Sequence, residues 1–301
     1  MSERSCRLRG SVVPLATPLR DDESLDAAAL ERMLERQRLA GSQAVFVLGS
    51  VGEGPLLPRT TRKEVVEIAV AQVGKEMPVL AGAMDNSVRL VLERIDELVA
   101  WGAHAAVVTL PSYGWFDNER STIAFFRGIA DRAAIPIVPY NLPRVVGFSI
   151  PDRIVHAIWD HPNIIGYKDT RPDLEAMRRL ASEKHPDGFS YLPGNSSYAW
   201  ELFQAGADGI VSTPANVMPE LVESLWQAHL AGEQERGEKL RQALVLLCGI
   251  LQQPNTAGGV KAALELKGIC SRRTVHPWPQ AEPEHMERVA EILRSVGAML
   301  A

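Results

Sequence analysis

One unit of a repeating pattern occupies residues 26–48 and reads DAAALERMLERQRLAGSQAVFVL. Apolar residues recur at three- and four-residue spacing up to Ala40, which predicts an amphipathic helix with Asp26 as its N-cap. The apolar run Ala44–Leu48 follows and is typical of a short strand buried on both faces. A helix followed by a buried strand is the unit from which parallel sheets are built.

The same alternation continues to about residue 230. Short apolar runs predict eight strands, at Val12–Ala16, Ala44–Leu48, Val79–Ala81, Ala105–Thr109, Ile137–Tyr140, Ile164–Lys168, Ser190–Leu192 and Gly209–Ser212. The clearest helical patterns are Asp26–Ala40, Thr60–Val73, Ser87–Trp101 and Asn118–Ala133. Eight strand–helix units without a Gly-x-Gly-x-x-Gly after the first strand favour a closed barrel over an open doubly wound sheet.

Beyond the eight units, helical patterns continue at 233–252, 257–268 and 283–299. No linker or low-complexity segment interrupts the chain. We therefore predict an α/β fold in a single domain, residues 1–301. It comprises a (β/α)8 TIM barrel over about 10–230 and additional C-terminal helices over about 231–301.

Composition excludes several classes of function. The 301 residues carry a net charge of −5, so a nucleic-acid or anionic-membrane partner is not expected. The N-terminus lacks the apolar segment of a signal peptide, and no window is apolar enough to span a membrane. Cys6, Cys248 and Cys270 are too widely spaced for a disulfide framework or a CxxC motif, which favours a reduced, cytoplasmic location. No histidine falls at the carboxyl end of a predicted strand, so no metal site is predicted.

Active sites of such barrels lie at the carboxyl ends of the strands. Lys168 ends the sixth predicted strand, where an apolar residue is expected. Burial lowers the pKa of a lysine, and a neutral amine is a nucleophile towards ketones. The alternative is a lysine that extends to the rim, or one that pairs with Asp169 or Glu53.

Other strand ends supply groups that suit an amine nucleophile. Tyr140 ends the neighbouring strand and could shuttle the protons that carbinolamine formation and dehydration require. The Gly49–Glu53 loop offers backbone amides and the hydroxyl of Ser50, which suit a carboxylate or an oxyanion. Tyr113 either extends the proton relay or only packs in its loop.

These residues carry a family resemblance. Gly49-Ser-Val-Gly-Glu53, Tyr140-Asn-Leu-Pro143 and Gly166-Tyr-Lys-Asp169, in this order, make the chain similar to the dihydrodipicolinate synthase / N-acetylneuraminate lyase superfamily from about residue 10 to 295. The resemblance implies a lyase with a class I aldolase-type mechanism. It implies no metal or organic cofactor, because the covalent imine on Lys168 is the electron sink.

The resemblance also implies a role for each residue. Lys168 attacks the ketone of pyruvate, Tyr140 relays protons, and Ser50 shares that relay. The amides of Ser50 and Val51 hold the pyruvate carboxylate, and Tyr113 completes the relay, in some relatives across a subunit interface. The further expected substrate contacts are Gly49, Gly194, Val211 and Arg144.

The expected partners are a small 2-oxo acid and an aldehyde-type substrate, in a homodimer or homotetramer. Three departures from the family pattern bear on the second substrate. Val51 replaces a residue with a hydroxyl, and the arginine that grips the second substrate is shifted to Arg144, with Val145 in its place. The family's Pro-Tyr-Tyr after the fourth strand is Pro111-Ser112-Tyr113 here, and the bulky Trp115-Phe116 lies beyond it, which predicts a more apolar acceptor pocket.

Several activities fit these observations. The leading one is a Schiff-base-forming aldolase that uses pyruvate or cleaves a 2-oxo acid. A 2-keto-3-deoxy-acid dehydratase or deaminase with the same lysine is the next alternative, followed by 4-hydroxy-tetrahydrodipicolinate synthase. A non-catalytic relative that binds a 2-oxo acid is the alternative from a different class.

Overall fold

A computed structural model describes residues 7–114 and 118–301 of the chain. Cys6 and the Trp115-Phe116 pair, on which the apolar acceptor pocket was predicted, lie outside the described residues. Eight strands are found in the described ranges: β1 (Gly10–Pro14), β2 (Ala44–Val47), β3 (Val79–Gly82), β4 (Ala105–Thr109), β5 (Ile137–Asn141), β6 (Gly166–Asp169), β7 (Ser190–Pro193) and β8 (Gly209–Val211).

The helices follow the strands in alternation. They are α1 (Ala27–Ala40), α2 (Arg59–Val73), α3 (Val88–Ala100), α4 (Glu119–Ala130), α5 (Pro143–Val146), α6 (Asp152–Ile158), α7 (Leu174–Ser182), α8 (Ala199–Ala205), α9 (Pro219–Leu230), α10 (Gln234–Leu247), α11 (Thr256–Leu266) and α12 (Pro283–Leu300). Short 3-10 turns occupy Gly54–Leu56, Ser196–Tyr198, Thr213–Asn216 and Cys248–Gln252.

All strand pairs within the sheet are parallel, in the order β7-β6-β5-β4-β3-β2-β1-β8. The sheet closes on itself where the Asp208 amide, just before β8, donates to the Tyr191 carbonyl of β7 at 3.2 Å. The predicted (β/α)8 TIM barrel with C-terminal helices is therefore confirmed. In such a barrel, the carboxyl ends of all eight strands open on one mouth.

Alternation along the strands divides the apolar residues between two cores. One core lies inside the barrel and includes Val12, Phe46, Val107, Leu192 and Val211. The other lies between the outer face of the sheet and the surrounding helices. Side chains at the strand ends therefore point either into the mouth or back towards the helices.

Local sequence accounts for the helix starts. The side chains of Asp26, Ser87 and Asn118 accept hydrogen bonds from the amides three residues later, as predicted for N-caps.

No helix in the part of the chain that the structure describes combines the length and the apolar character required to cross a bilayer.

Some predicted boundaries are wrong by one to three residues. The first strand begins at Gly10 instead of Val12, and the sixth begins at Gly166 instead of Ile164, which makes only an isolated bridge. Leu48 leaves the second strand because its φ of 58° is left-handed. The fourth helix ends at Ala130, three residues earlier than predicted.

Candidate active site

Tyr140 and Lys168 lie side by side at the mouth of the barrel. They are paired across β5 and β6, so their side chains share the inner face of the sheet. The Lys168 Nζ lies 3.7 Å from the centroid of the Tyr140 ring. Lys168 is 6% exposed and Tyr140 is 4% exposed. The structure thus brings the predicted nucleophile and the predicted proton relay into direct contact.

Burial shifts the pKa values of both groups in useful directions. Burial alone lowers the pKa of Lys168 to about 7, and among the described residues no acidic side chain forms an ion pair with it. Burial raises the pKa of Tyr140 to about 12, although the side chains of Thr170 and Ser50 act against that rise. At neutral pH a large fraction of the amine is therefore neutral while the phenol keeps its proton. This combination provides a nucleophile beside an acid.

Phe46 forms the other wall around the amine. Its ring centroid lies 4.8 Å from the Lys168 Nζ. A Cβ atom at Gly49 would lie 2.7 Å from Cε1 of the same ring, so glycine allows the loop after β2 to pack on Phe46. Sequence reasoning missed Phe46. The available signal was its inward position on β2, two residues before the strand leaves the sheet.

The loop after β2 presents backbone amides as predicted. Its two ends, Leu48 and Glu53, both adopt left-handed φ values, 58° and 55°. The amides of Glu53 and Gly54 are used within the loop, since they donate to the carbonyls of Ser50 and Gly49 at 3.1 and 3.2 Å. No hydrogen bond between described residues uses the amides of Ser50 or Val51. These two donors remain available for an anion.

Other predicted substrate contacts line the same mouth. A Cβ atom at Gly194 would overlap the methyl group of Thr170 and would lie 3.5 Å from Cε of Lys168. Glycine therefore leaves room for the Thr170 side chain there. Val211 is buried at the end of β8 in the inner core, together with Tyr140. Thr170 was not predicted; it follows Lys168-Asp169 directly and borders both Tyr140 and Gly194.

Asp169, which follows Lys168, points away from the mouth. Its carboxylate accepts hydrogen bonds from Asn141 Nδ2 at 3.0 Å, Arg171 Nε at 2.6 Å and the Tyr191 hydroxyl at 3.2 Å. Arg171 also pairs with Asp152 at 2.6 Å. This outer network ties β5, β6 and β7 together behind the reactive pair. The alternative in which Asp169 neutralises Lys168 is therefore wrong.

The second proposed partner of Lys168 is also engaged elsewhere. Glu53 forms an ion pair with Lys261 of α11, and both side chains are fully buried. Because the carboxylate faces the C-terminal helices, the alternative of a Lys168–Glu53 pair is wrong as well. Lys168 is also too deeply buried to extend to the rim.

Tyr113 and Arg144 are both exposed in the single chain. The Tyr113 side chain is 85% exposed, and its backbone amide donates to Asn86 Oδ1 at 2.9 Å. Arg144 is exposed on α5, directly after β5, and neighbouring Val145 is 59% exposed. Among the described residues Arg144 has no ion-pair partner. Their predicted roles remain predictions.

A cavity of about 410 Å³ lies at the opposite, amino-terminal end of the barrel. Its lining includes Pro78, His104 and Pro136, which precede β3, β4 and β5. His104 is structural, since its Nδ1 accepts a hydrogen bond from the Val79 amide at 3.1 Å. Catalysis in such barrels is located at the other end.

Within the described ranges, no three His, Cys, Asp or Glu side chains are arranged to hold a metal ion.

Comparison with known proteins agrees with the geometry of the site. The model of the dihydrodipicolinate synthetase family matches residues 7–296. The chain is 30% identical over 295 residues to the 4-hydroxy-tetrahydrodipicolinate synthase of Methanopyrus kandleri, which covers 97% of this chain and 98% of that protein.

Two solved structures show the same fold. A monomeric dihydrodipicolinate synthase variant superposes with a TM-score of 0.93 at 26% identity, over 98% of this chain and 99% of that chain. YagE of E. coli K12, a protein of the same family in complex with pyruvate, superposes with a TM-score of 0.89 at 25% identity, over 97% and 99% of the chains. The protein is therefore a lyase that belongs to the dihydrodipicolinate synthetase family.

Proposed function

We propose that the protein is a pyruvate-dependent lyase of the class I aldolase type, in which Lys168 forms an imine with a 2-oxo acid. The observation that carries this proposal is the buried Lys168 amine, 3.7 Å from the ring centroid of Tyr140 and without an acidic partner among the described residues. A buried, partly neutral lysine of this kind is suited to nucleophilic attack on a ketone.

The proposed reaction begins with pyruvate. The neutral Lys168 nitrogen adds to C2 and one of its protons passes to the oxygen; a second proton, from the Tyr140 hydroxyl, lets that oxygen leave as water, and a protonated imine remains. The Tyr140 phenolate then takes a proton from C3, which gives an enamine. C3 of the enamine adds to the carbonyl carbon of an aldehyde, and Tyr140 returns the proton to the new alkoxide. Hydrolysis of the new imine returns the lysine amine and releases a longer 2-oxo acid. The same steps in reverse cleave that acid.

The free amides of Ser50 and Val51 would hold the pyruvate carboxylate in this scheme. Two backbone donors aimed at a carboxylate supply charge-assisted hydrogen bonds without any lysine or arginine. Ser50 also interacts with the Tyr140 hydroxyl, so one loop would contact both the carboxylate and the proton relay. Val51 contributes its amide but no hydroxyl.

The second substrate is proposed to be an aldehyde. In the reverse direction the same aldehyde is a product of cleavage. The name of the Methanopyrus kandleri relative supports 4-hydroxy-tetrahydrodipicolinate synthase as a second candidate. Val145, 59% exposed where the family has an arginine, speaks against it. Arg144 is exposed, with no ion-pair partner in the described ranges, and would bind a carboxylate or hydroxyl of the second substrate. A dehydratase or deaminase that uses the same imine is the third candidate.

A substrate screen tests the choice between these activities. Pyruvate would be supplied with aspartate semialdehyde or with hydroxylated aldehydes, and 3-deoxy-2-oxo acids would be supplied alone. Carbon–carbon bond formation with a hydroxylated aldehyde is the expected result. Turnover only with aspartate semialdehyde favours the synthase, and loss of water or ammonia from a deoxy acid favours the dehydratase or deaminase.

We also propose that Tyr113 works in the site of a second subunit in a homodimer or homotetramer, since its side chain is 85% exposed in the single chain. Mixing two inactive variants, Tyr113→Phe and Lys168→Ala, tests this. If the tyrosine acts across an interface, mixed oligomers regain activity, because some sites combine a normal Tyr113 with a normal Lys168. No recovery after subunit exchange contradicts the proposal.

The cytoplasmic location remains a prediction from the cysteine pattern.

A further inference from the structure

A buried ion pair joins the loop after β2 to the C-terminal helices. Glu53 closes that loop, Lys261 lies on α11, and both side chains are 0% exposed. The Lys261 Nζ also donates to the carbonyl of Arg273 at 2.6 Å. The second carboxylate oxygen of Glu53 accepts a hydrogen bond from the Val275 amide at 2.6 Å. The C-terminal segment therefore holds both oxygens of this carboxylate.

The position of Glu53 sets the direction of the Val51 amide. The Glu53 amide donates to the Ser50 carbonyl at 3.1 Å. That carbonyl and the Val51 N–H belong to one planar trans peptide group and point in opposite directions. A hydrogen bond that draws the Ser50 carbonyl towards Glu53 therefore turns the Val51 N–H outward, away from Glu53.

The conformation of Glu53 requires an external restraint. Its φ of 55° is left-handed, a region that residues with a side chain seldom occupy unless their surroundings hold them there. The loop is also held from the segment that follows β1, since the Thr17 hydroxyl donates to the Gly52 carbonyl at 2.7 Å. The contacts to Lys261 and to the Val275 amide act on Glu53 itself.

We infer that Lys261 is a positioning residue for the reaction: through Glu53 it aims the Val51 amide at the carboxylate of the 2-oxo acid. The inference rests on the proposed function, and it assigns to the C-terminal helices a part in substrate binding. Lys261 touches no reacting atom. A pair that served stability alone would leave substrate affinity unchanged once the protein folds.

The affinity for pyruvate distinguishes a positioning role of Lys261 from a role in stability alone. The amide contacts the carboxylate both before and during the reaction, so its loss raises the half-saturating pyruvate concentration and leaves the maximal rate nearly unchanged. For Lys261→Met we expect about a tenfold rise in the half-saturating concentration for borohydride trapping, the effect of one weakened hydrogen bond to a charged group.

A double variant provides the decisive comparison. Lys261→Met alone leaves the Glu53 carboxylate buried without a cation and is expected to be less stable. Glu53→Gln combined with Lys261→Met has no buried charge, and the glutamine oxygen can still accept from the Val275 amide. The matched control is Glu265→Gln, on the same helix; it weakens a partly buried pair with Arg272, 2.9 Å apart, that is not bonded to the loop.

The double variant should melt near the wild-type temperature yet require about tenfold more pyruvate. Glu265→Gln should retain wild-type saturation. Wild-type saturation in the folded double variant would overturn the role of Lys261. Absence of any pyruvate adduct in the wild type would instead contradict the proposed function, so the two failures are distinguishable.

Discussion

Tyr140 and Lys168 occupy paired positions on adjacent parallel strands, and the lysine nitrogen lies over the phenol ring, 3.7 Å from its centroid. Strand pairing therefore fixes the separation of their backbones. Phe46 covers another side of the amine, with its ring centroid 4.8 Å from Nζ. The aromatic surroundings exclude water, which lowers the pKa of the lysine without any ionic partner.

Replacing Tyr140 with phenylalanine should slow imine formation and turnover by about 100-fold or more, the usual contribution of general acid–base catalysis. The fold should be retained, because the ring still packs in the inner core. Stopped-flow measurement of imine formation checks the rate. Tyr167→Phe is the matched control, since Tyr167 is equally buried but belongs to the outer core. Unchanged turnover in Tyr140→Phe removes the phenol from the relay.

The rate of imine formation should rise with pH through about 7 and then level off. The neutral amine attacks the ketone, so the rate follows the deprotonated fraction of Lys168. An unshifted lysine would keep gaining reactivity up to its ordinary pKa of 10.5. Because the pKa of Tyr140 is raised to about 12, the phenol stays protonated across this range. A rate that still increases tenfold per pH unit above pH 8 contradicts the shift.

Lys168→Met should abolish activity and stabilise the protein at pH 7. Lowering the pKa from 10.5 to about 7 means that folding disfavours the charged amine, a cost of roughly 4 kcal/mol at neutral pH. The folded state binds fewer protons than the unfolded chain between these values, so wild-type stability rises with pH over that interval. The advantage of the variant should therefore shrink from pH 7 to pH 10.5.

Thermal melting at several pH values measures this difference. At pH 7 a rise of about 5 °C or more is expected for Lys168→Met. The exposed Lys184→Met serves as the control and should change the melting temperature little. If the rise in melting temperature of Lys168→Met over the wild type does not depend on pH, or if the variant melts at a lower temperature, Lys168 is charged in the folded protein.

Gly194→Ala should lower kcat/KM by about tenfold or more, because small displacements of reacting groups are costly. The added methyl group would overlap the methyl group of Thr170, whose side chain also contacts Tyr140, so Thr170 must move. Gly297→Ala on α12 is the matched control, since a methyl group there meets nothing within 4 Å. Steady-state kinetics on both variants provide the comparison. Wild-type kinetics in Gly194→Ala would show that Thr170 can move without disturbing the reactive pair.

The barrel could be predicted because its strands are short apolar runs of regular spacing. The proposed roles of Lys168 and Tyr140 followed from a polar residue at the end of such a run. The boundaries near Leu48 and Ile164 were wrong, because apolar character does not report a left-handed φ or an isolated bridge. Local pattern specifies the elements but not the points where hydrogen bonding stops.

Contacts between distant segments were beyond the reach of the sequence. Glu53 and Val275 are bonded across 222 positions, and no periodicity predicts such a pair. Glu53 was considered only as a partner of Lys168, since its true partner lies in a helix outside the barrel. Phe46 was not singled out, because its contact with the amine depends on barrel closure. The role of Tyr113 stays a prediction, since its side chain is 85% exposed in the single chain.

Borohydride trapping with pyruvate tests the central claim most directly. Reduction of the imine should leave a stable carboxyethyl group on one lysine, inactivate the enzyme, and be prevented by omitting pyruvate. Peptide mapping by mass spectrometry should place the modification on Lys168, and Lys168→Met should remain unmodified. A modification on any other lysine, or an unmodified wild-type protein, would contradict the account.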